Sequence, residues 1–549
     1  MPAIAIPRLP LRGLLLTLSS AVLLIVAFPN WNQPWCAWVA LVPWLVALRQ
    51  TSGRRAFGLS YLVGLAFFLG SMWWLTKLTP FGGPMAIVGW LVLCAYLALY
   101  FGAFGWMAHQ LLGTGDGGQG TGKNATGRRR FSLSLEPCTL NLLLLPSAWV
   151  ALEYLRSHLL SGFGWNLLGY SQASAPSVLQ VADLTGAWGV SFVLVMMNVA
   201  VVTALERRPS GRRAAAVIAA GLVMLGTAGY GRYRLAQPVS GSHVTIAVVQ
   251  GSIPQDEKWD EARKPVIVAQ YAQLTLRAAE GHPQVIVWPE TAVPGYLELD
   301  EPLTAQVRAV VQSVKTPMLV GAPMARAHDG AWETTNSAAL FNADGVLVAR
   351  YDKLRLVPFG EFVPGESWLP WLRDILPPIG NFVPGQELTV FKLQGARSKV
   401  QGVDLEPRAL SLEPTFSVLI CFEDVFPDLA RRFVNRGAQM LVTITNDAWF
   451  GDTAAAYQHA QASTLRAVEL RVPMVRAANT GWSGCIDAKG RWLASVRAAD
   501  GHELFVPGMA SCEVTVGNPA SLYRRWGDWF AWLCLLGCLG WAIFAIMKR

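Results

Sequence analysis

Charged residues are scarce in this sequence. Only 15% of the 549 residues are charged, whereas 53% are hydrophobic. Soluble domains usually carry roughly 25% charged residues, so a wholly soluble globular protein is excluded. The formal net charge of +9 could indicate nucleic-acid binding, but many of the cations form short clusters between apolar runs. That distribution is typical of membrane topology signals, so we expect a membrane protein with a soluble part and no nucleic-acid partner.

Cysteine pairs at metal-ligand spacing are also absent. The eight cysteines include no CxxC pair and no combined His/Cys ligand spacing, so the sequence predicts no metal site and no cofactor. Five of them lie in or beside apolar runs, where packing is the expected role: Cys36, Cys94, Cys138, Cys534 and Cys538. The polar half holds Cys421, Cys485 and Cys512, an odd number that requires at least one free thiol. We expect Cys485 and Cys512 to be packed thiols.

Apolar runs long enough to cross ~30 Å of hydrocarbon fill the first part of the chain and recur at its end. Eight spans are predicted, at about residues 11–28, 35–48, 56–75, 84–108, 138–157, 178–204, 213–230 and 527–546. The first run could be a signal peptide, but it lacks a small-residue cleavage site and further spans follow. We therefore interpret it as a retained helix.

The cations between these runs predict the orientation of the chain. With the N-terminus inside, the cation clusters all fall on inner segments: Arg8, Arg12, Arg49, Arg54, Arg55, Lys123, Arg128, Arg129, Arg130, Arg207, Arg208, Arg212, Arg213, Lys548 and Arg549. The outer loops, around Lys77 and over 158–177, hold almost no cations. We therefore expect seven helices within 1–237, an extracytoplasmic domain at 238–520 and an eighth helix within 521–549, with both termini cytoplasmic.

The predicted outer domain has a different pattern. Short β-branched runs such as "VTIAVVQ" (244–250), "QVIVWPE" (284–290) and "FSVLICFED" (416–424) alternate with helix-like stretches. This alternation indicates an α/β layered domain, and ligands in such domains tend to bind at the carboxyl ends of strands. Two segments, 111–130 and 393–414, resemble insertions, and the sequence suggests no function for either.

Three residues at strand ends or in loops carry the chemistry of acyl transfer through a thioester. Glu290 follows an apolar strand, Lys353 lies in "YDKLRLVPFGEFVP", and Cys421 ends the strand in "LICFEDVFPD". Glu290 would take the thiol proton, and Lys353 would stabilise the thiolate and the oxyanion, helped by the backbone N–H of Phe422. On residue types alone, the three could equally be unrelated.

The order of the motifs along the chain favours the interpretation that Glu290, Lys353 and Cys421 act together. The series WPE, DK-L-VPFGE-VP, CFED and "NDAWFGD" (446–452) resembles the nitrilase superfamily, whose active site is a Glu-Lys-Cys triad. The apolar runs, with "GFGWNLLGYSQ" (162–172) and "RAVELRVPMVRAANTG" (466–481), narrow the resemblance to the bacterial apolipoprotein N-acyltransferase family. The resemblance covers nearly the whole chain.

The resemblance implies a fold, a reaction and a location. The fold would be a four-layer αββα sandwich on a helical membrane bundle. Such enzymes sit in the inner membrane with the catalytic domain in the periplasm, and carry an acyl chain from a phospholipid to the α-amino group of a diacylglyceryl-cysteine apolipoprotein. Glu290, Lys353 and Cys421 would form the triad, with Glu361 and Glu423 as supporting glutamates. The family often has tyrosine where this chain has Phe422, so any role of that hydroxyl is absent here.

Several further residues are candidates for substrate binding. The segment 362–386, with Trp368 and Trp371, is interpreted as a mobile arm that dips into the membrane interface, or else as a loop packed on its own domain. Asn446 and Trp449 could shape the acyl pocket, with core packing as the alternative for Trp449. Trp165 could contact lipid or serve as an interfacial anchor.

Two other functions are compatible with parts of the pattern. A membrane-tethered amidohydrolase would use the same triad with water as acceptor. Independently of that alternative, His459 could form a Cys–His dyad with Cys421, although a structural histidine is the simpler interpretation because Glu290 and Lys353 already fill those roles. A transporter or receptor would need paired ionisable residues deep in the spans. The candidates for that role, Glu153, Arg156 and Asp183, all fall near predicted outer ends, which favours the acyltransferase.

Overall fold

The computed structural model describes residues 11–49, 51–113, 137–205, 210–328, 330–366, 368, 371, 380–393, 399–400, 403–404 and 413–547. Most of the two predicted insertions, 111–130 and 393–414, and part of the predicted arm therefore lie outside the described residues. The chain divides into two compact units. The helical unit comprises residues 1–73, 88–232 and 528–549, and the sheet unit comprises residues 74–87 and 233–527.

In the part of the chain that the structure describes, ten α-helices precede the first strand. They are α1 (Leu11–Ala27), α2 (Val42–Leu48), α3 (Gly53–Ser71), α4 (Thr79–Gly82), α5 (Pro84–Gly113), α6 (Pro137–Arg156), α7 (Pro176–Leu179), α8 (Ala182–Thr185), α9 (Ala187–Ala204) and α10 (Gly211–Ala236). Short 3-10 turns lie at Pro34–Trp38, Trp73–Leu78 and Leu168–Gln172. In the helical unit α3 and α5 lie close to each other, because glycines on one helix face large side chains on the other. A Cβ atom added to Gly64, for example, would lie only 2.7 Å from the Phe101 side chain.

The described helices support part of the predicted span pattern. Four are long and apolar enough to cross a membrane, at Pro84–Leu111, Ala187–Ala204, Gly211–Ala236 and Trp529–Met547, and a bent pair, Gly53–Ser71 with Trp73–Gly82, would make a fifth. The run at 178–204 is not one helix, because Gly186 adopts a φ of +69° and ends α8 before α9 begins. The prediction of eight spans therefore stays a prediction.

Glu153, Arg156 and Asp183, the candidate residues for a transport path, have hydrogen-bond partners within the helical unit. Glu153 accepts a hydrogen bond from the backbone N–H of Leu168 at 2.7 Å. Arg156 donates to the carbonyl oxygen of Trp165 at 2.9 Å, and Asp183 accepts from the Tyr230 hydroxyl at 2.8 Å. Glu153 and Arg156 thus brace the loop after α6.

Two mixed six-stranded sheets form the sheet unit. The strands are β1 (Ser242–Gln250), β2 (Val285–Val287), β3 (Met318–His328), β4 (Ala331–Phe341), β5 (Leu347–Asp352), β6 (Phe391–Lys392), β7 (Lys399–Val400), β8 (Val403–Asp404), β9 (Thr415–Ile420), β10 (Met440–Thr445), β11 (Met474–Ala478), β12 (Gly484–Ile486), β13 (Trp492–Ser495) and β14 (Gly508–Val516). One sheet has the order β14-β1-β2-β3-β4-β5 and the other β13-β12-β11-β10-β9-β6, while β7 and β8 form a separate hairpin. Strands β1, β2 and β3 run parallel in the first sheet, and β9, β10 and β11 in the second.

The two sheets face each other, with helices on the outer sides. Strands β1 and β4 contact β11 and β9 of the opposite sheet. The remaining helices among the described residues are α11 (Lys264–Ala279), α12 (Glu301–Val314), α13 (Pro427–Asn435), α14 (Ala454–Leu470) and α15 (Leu522–Trp526), and the chain continues into α16 (Trp529–Met547) of the helical unit. Apolar residues of α11 and α12 pack on the first sheet in one buried core, and α13 and α14 contact the second. This layering matches the expected αββα sandwich.

The prediction that Cys485 and Cys512 are packed thiols is wrong. The two residues form a disulfide with a Cα–Cα distance of 6.5 Å. Cys485 lies in β12 and Cys512 in β14, two contacting strands of opposite sheets. Their separation of 27 residues along the chain gives no hint of this pairing, because it depends on how the sheets stack. Cys421 is free, as the odd count required.

Candidate active site

The turn that carries Cys421 follows directly from β9. Cys421 begins a 3-10 turn that runs to Val425, and its φ of +53° is left-handed. Such a backbone costs a residue with a side chain about 1–3 kcal/mol, so neighbouring contacts must hold it. Cys421 is half-buried and forms no disulfide. The turn presents this cysteine at the carboxyl end of a buried parallel strand.

Glu423 connects the turn that carries Cys421 to the segment after Lys353. Its carboxylate accepts hydrogen bonds from the backbone N–H groups of Ile420, Leu354 and Arg355 at 2.7–3.0 Å, and from the Tyr351 hydroxyl at 2.9 Å. Burial raises the pKa of Glu423 to about 7, although these donors favour the charged form. Glu423 therefore holds the Cys421 turn against the segment that follows Lys353.

Glu290 lies beyond β2, after a Trp-Pro turn, and is almost completely buried. Its Oε1 accepts a hydrogen bond from Asn336 Nδ2 at 2.7 Å, and its Oε2 accepts one from the backbone N–H of Asn446 at 2.8 Å. The ammonium of Lys258 donates to the Glu290 carbonyl oxygen at 3.2 Å, and burial lowers the pKa of this lysine to about 7. Donors thus fix both carboxylate oxygens of Glu290 in place.

Lys353 follows β5 and is buried between two carboxylates. Its Nζ lies 2.9 Å from Glu361 Oε2 and 3.5 Å from Glu290 Oε1. Asn336 bridges the same pair, because its Nδ2 also donates to Glu361 Oε1 at 2.9 Å. Burial opposes the charge on Lys353, but Glu361 and Glu290 outweigh it and raise the pKa of the lysine above its ordinary value. The ammonium stays charged.

Cys421 lies within the electrostatic reach of this cluster. Burial raises the pKa of the Cys421 thiol well above its ordinary value, and the negative charge of Glu290 raises it further, while Lys353 lowers it. The Thr445 side chain also lowers the pKa of the thiol. The resting thiol is therefore protonated at neutral pH, and attack on a carbonyl requires a base to take its proton.

The structure brings some of the other predicted residues to this site and leaves others apart. Phe422 is half-buried and stacks edge-on against Phe426. Asn446 serves the protein itself: its backbone binds Glu290, and its side chain bonds Gln255 and Asn479. We expected a substrate contact, whereas the observed contacts of Asn446 are with Glu290, Gln255 and Asn479.

The four tryptophans proposed for substrate binding differ in exposure. Trp449 is half-buried and stacks edge-on with Phe81 at 4.9 Å. Trp165 is buried in the helical unit, which argues against a freely exposed lipid contact at that side chain. In the predicted arm, Trp368 is 87% exposed and Trp371 is 53% exposed. The arm residues 367, 369–370 and 372–379 lie outside the described residues.

Sequence reasoning missed two residues that contact Glu290. Asn336 lies in the middle of β4, where asparagine is unfavourable, and that was the only available signal. Lys258 stands in the ordinary-looking stretch "QDEKWD" and gave no signal. Together with Glu290, Lys353 and Glu361, they form a buried set of charges beside a thiol. Such a set can take a proton from the thiol and stabilise an oxyanion.

The chain is similar to known proteins over nearly its whole length. The family described as Apolipoprotein N-acyltransferase N-terminal domain matches residues 20–200, and the family described as Carbon-nitrogen hydrolase matches residues 245–504. The apolipoprotein N-acyltransferase of Geobacter metallireducens is 34% identical, with 99% of this chain and 97% of the relative covered. That of Chlorobaculum tepidum is 32% identical, with 90% and 92% covered. Among solved structures, an amidase from Nesterenkonia sp. is 18% identical over 53% of this chain and 96% of its own, with a TM-score of 0.35.

The sheet unit brings together a cysteine, a glutamate and a lysine at strand ends, and it matches the carbon–nitrogen hydrolases. These features define an enzyme of the nitrilase superfamily, which in this chain is joined to a set of apolar helices. The similarity to the two relatives extends over nearly the full length of the chain, so the family can be assigned more narrowly than the superfamily. The chain belongs to the apolipoprotein N-acyltransferase family, and it is an acyltransferase of lipoprotein biosynthesis.

Proposed function

We propose that the protein moves an acyl chain from a phospholipid to Cys421 and then to the α-amino group of a diacylglyceryl-cysteine apolipoprotein. The observation that carries this proposal is the buried cluster of Glu290, Lys353, Glu361 and Asn336 beside a cysteine in a left-handed turn. The cluster provides a base and a fixed cation, which are the two groups that a protonated thiol needs for acyl transfer.

In the first half-reaction the thiol attacks the ester carbonyl carbon of the phospholipid. Glu290 takes the thiol proton as the C–S bond forms, and Lys353 with the backbone N–H of Phe422 stabilises the oxyanion. The C–O bond then breaks, and Glu290 returns the proton to the departing alkoxide oxygen. A lysophospholipid leaves, and the acyl chain remains on Cys421 as a thioester.

In the second half-reaction the α-amino group of the apolipoprotein attacks the thioester carbonyl. Glu290 takes a proton from the amine as the C–N bond forms, the C–S bond breaks, and the sulfur of Cys421 recovers the proton. The products are an N-acylated lipoprotein and the free thiol. Glu361 and Asn336 hold Lys353 and Glu290 in the same geometry during both steps.

The location of the reaction is part of the proposal. Both substrates are lipids, so the thiol must be reached from a bilayer surface. Eight spans with cytoplasmic termini would place residues 238–520 on the periplasmic side of the inner membrane, in agreement with the positive-inside pattern. Exposed aromatic residues at Trp368 and Trp371 suit an interfacial position.

A mass measurement on Cys421 tests the proposal. The full-length protein is incubated with phospholipid and no acceptor, and the peptide containing Cys421 is examined for a hydroxylamine-labile acyl group. We expect an adduct in the wild type and in Cys36→Ser, a control at a buried free cysteine, and none in Cys421→Ser. A diacylglyceryl peptide with a free N-terminus should discharge the adduct. Discharge by water at the same rate without peptide would contradict the acyltransferase mechanism.

A further inference from the structure

A second group of charged residues, which the proposed mechanism does not use, lies against the nucleophile turn. We call it the His459 cluster, and it consists of Asp424, Asp447, His459, Ser463 and Arg476. Each side chain is buried, with at most 2% exposed. The residues come from four elements: the turn after β9, the turn after β10, α14 and β11. Charged groups are rarely buried so completely without a defined task.

The imidazole of His459 contacts the backbone of Cys421. Its Nε2 lies 3.2 Å from the Cys421 carbonyl oxygen and 2.9 Å from Asp424 Oδ1. Both neighbours can only accept a hydrogen bond, so Nε2 must carry the proton. Asp424 Oδ1 is closer but poorly aligned and receives no hydrogen bond of good geometry. The Nε2–H group therefore donates to the carbonyl of the nucleophile itself.

The other members of the cluster fix the orientation of the ring. His459 Nδ1 lies 2.7 Å from Arg476 NH2 and 3.2 Å from Asp447 Oδ1. Arg476 in turn binds Asp447 Oδ2 at 3.2 Å and Asp424 Oδ2 at 3.0 Å, and Ser463 donates to that same oxygen. With Nδ1 occupied and Nε2 donating, the ring has no free lone pair with which to deprotonate the thiol.

We infer that His459 is a positioning residue, whose Nε2–H group holds the carbonyl of Cys421 and so keeps the nucleophile in its left-handed conformation. Glu423 binds the N–H of Ile420 on one side of Cys421, and His459 binds the carbonyl on the other side. The Ile420 N–H belongs to the peptide group one residue before the Ile420–Cys421 bond, and the Cys421 carbonyl belongs to the peptide group that follows Cys421. The two contacts thus hold the backbone on both sides of Cys421. The direction of the Cys421 side chain toward the Glu290–Lys353 cluster follows from that backbone. This inference rests on the proposed role of Cys421 as nucleophile.

Two nearly isosteric substitutions separate positioning from folding. In His459→Gln the side-chain amide can still donate to the Cys421 carbonyl, whereas His459→Leu has a similar volume and no donor. Gln461→Leu, two residues further along the same buried helix, removes a buried polar group away from the turn and serves as the control. For each full-length variant we would measure the single-turnover rate of Cys421 acylation by phospholipid, the alkylation rate of Cys421 by iodoacetamide, and the melting temperature.

Loss of one hydrogen bond that leaves a buried carbonyl unpaired should slow acylation roughly 10- to 100-fold in His459→Leu. Iodoacetamide alkylation should slow as well, because the thiol moves away from the groups that accept its proton. The phospholipid concentration for half-maximal rate should not change, since His459 touches no substrate. His459→Gln should recover most of both rates, and Gln461→Leu should match the wild type.

Two results would overturn the inference. One is a His459→Leu variant whose acylation and alkylation rates equal those of the wild type. The other is equal losses in the Gln and Leu variants, with matching drops in melting temperature, because that result would reduce His459 to a fold-stabilising residue. If the wild type itself forms no acyl adduct, the proposed function fails, but the alkylation rates still decide whether His459 positions Cys421.

Discussion

Asn336 offers the sharpest test of how the buried charges cooperate. Its Nδ2 donates to Glu290 Oε1 at 2.7 Å and to Glu361 Oε1 at 2.9 Å, so one amide orders both carboxylates around Lys353. Asn336→Leu keeps the volume and removes both bonds. Hydrogen bonds to charged groups contribute about 1.5–3 kcal/mol each, so the pair is worth about 3–6 kcal/mol. Because Lys353 still contacts both carboxylates, we expect the lower end, about 3 kcal/mol.

A loss of about 3 kcal/mol in the transition state corresponds to a rate roughly 100-fold lower. The assay is the single-turnover rate of Cys421 acylation by phospholipid, measured by mass spectrometry on the full-length protein. Ser337→Ala is the matched control, because the neighbouring residue of β4 points to the opposite face and bonds Asp352 instead. An Asn336→Leu rate within threefold of the wild type, in a protein with unchanged melting temperature, would refute the reasoning.

Three further predictions concern Lys353, Asp447 and the Cys485–Cys512 disulfide. Lys353→Met should abolish the thioester and lower the melting temperature, because two buried carboxylates then lose their shared cation; an acyl adduct in this variant would contradict the assigned role. Burial opposes the charge of Asp447, but Arg476 and His459 together outweigh it and lower the pKa of this carboxyl from 3.8 to about 2. This group should therefore contribute about 2 kcal/mol of stability above pH ~4 that is lost as the pH falls toward 2, and unfolding curves of Asp447→Asn should lack that loss. The Cys485–Cys512 bond closes a 27-residue separation, so replacing both cysteines by alanine should cost about 3–4 kcal/mol of unfolding free energy, measured by denaturant titration against Cys36→Ser.

The positions of Glu290 and Cys421 were predictable because each follows an apolar run, whereas Lys353 was identified from the motif "YDKLRLVPFGEFVP". Glu290 comes shortly after β2, Lys353 directly after β5 and Cys421 directly after β9. Period-two apolar runs and the ends of strands are local features that a sequence displays. The layered α/β fold was predictable for the same reason, since strands and helices alternate along the chain.

Other parts of the site depend on pairings that no local pattern shows. Asn336 reaches the cluster because β4 pairs with β5 so that its carbonyl accepts the N–H of Lys353 at 2.9 Å. Its place is a matter of strand register, and a shift of one residue would turn it to the opposite face. His459 was expected to be a structural histidine, but its contact with the Cys421 carbonyl depends on the packing of α14 against the turn. Hydropathy likewise could not show that Gly186 breaks the run at 178–204.

The charge balance of the site explains why a protonated thiol suits this reaction. A thiolate exposed at rest would be open to oxidation and to attack on any passing carbonyl. Burial and the negative charge of Glu290 instead keep Cys421 neutral. In the proposed mechanism the same Glu290 is the base that removes the proton. The charge that forms on attack moves to the substrate oxygen, where a fixed ammonium can stabilise it without reorganisation. Reactivity thus requires a carbonyl already seated beside Lys353, which makes the thiol selective for a bound acyl group.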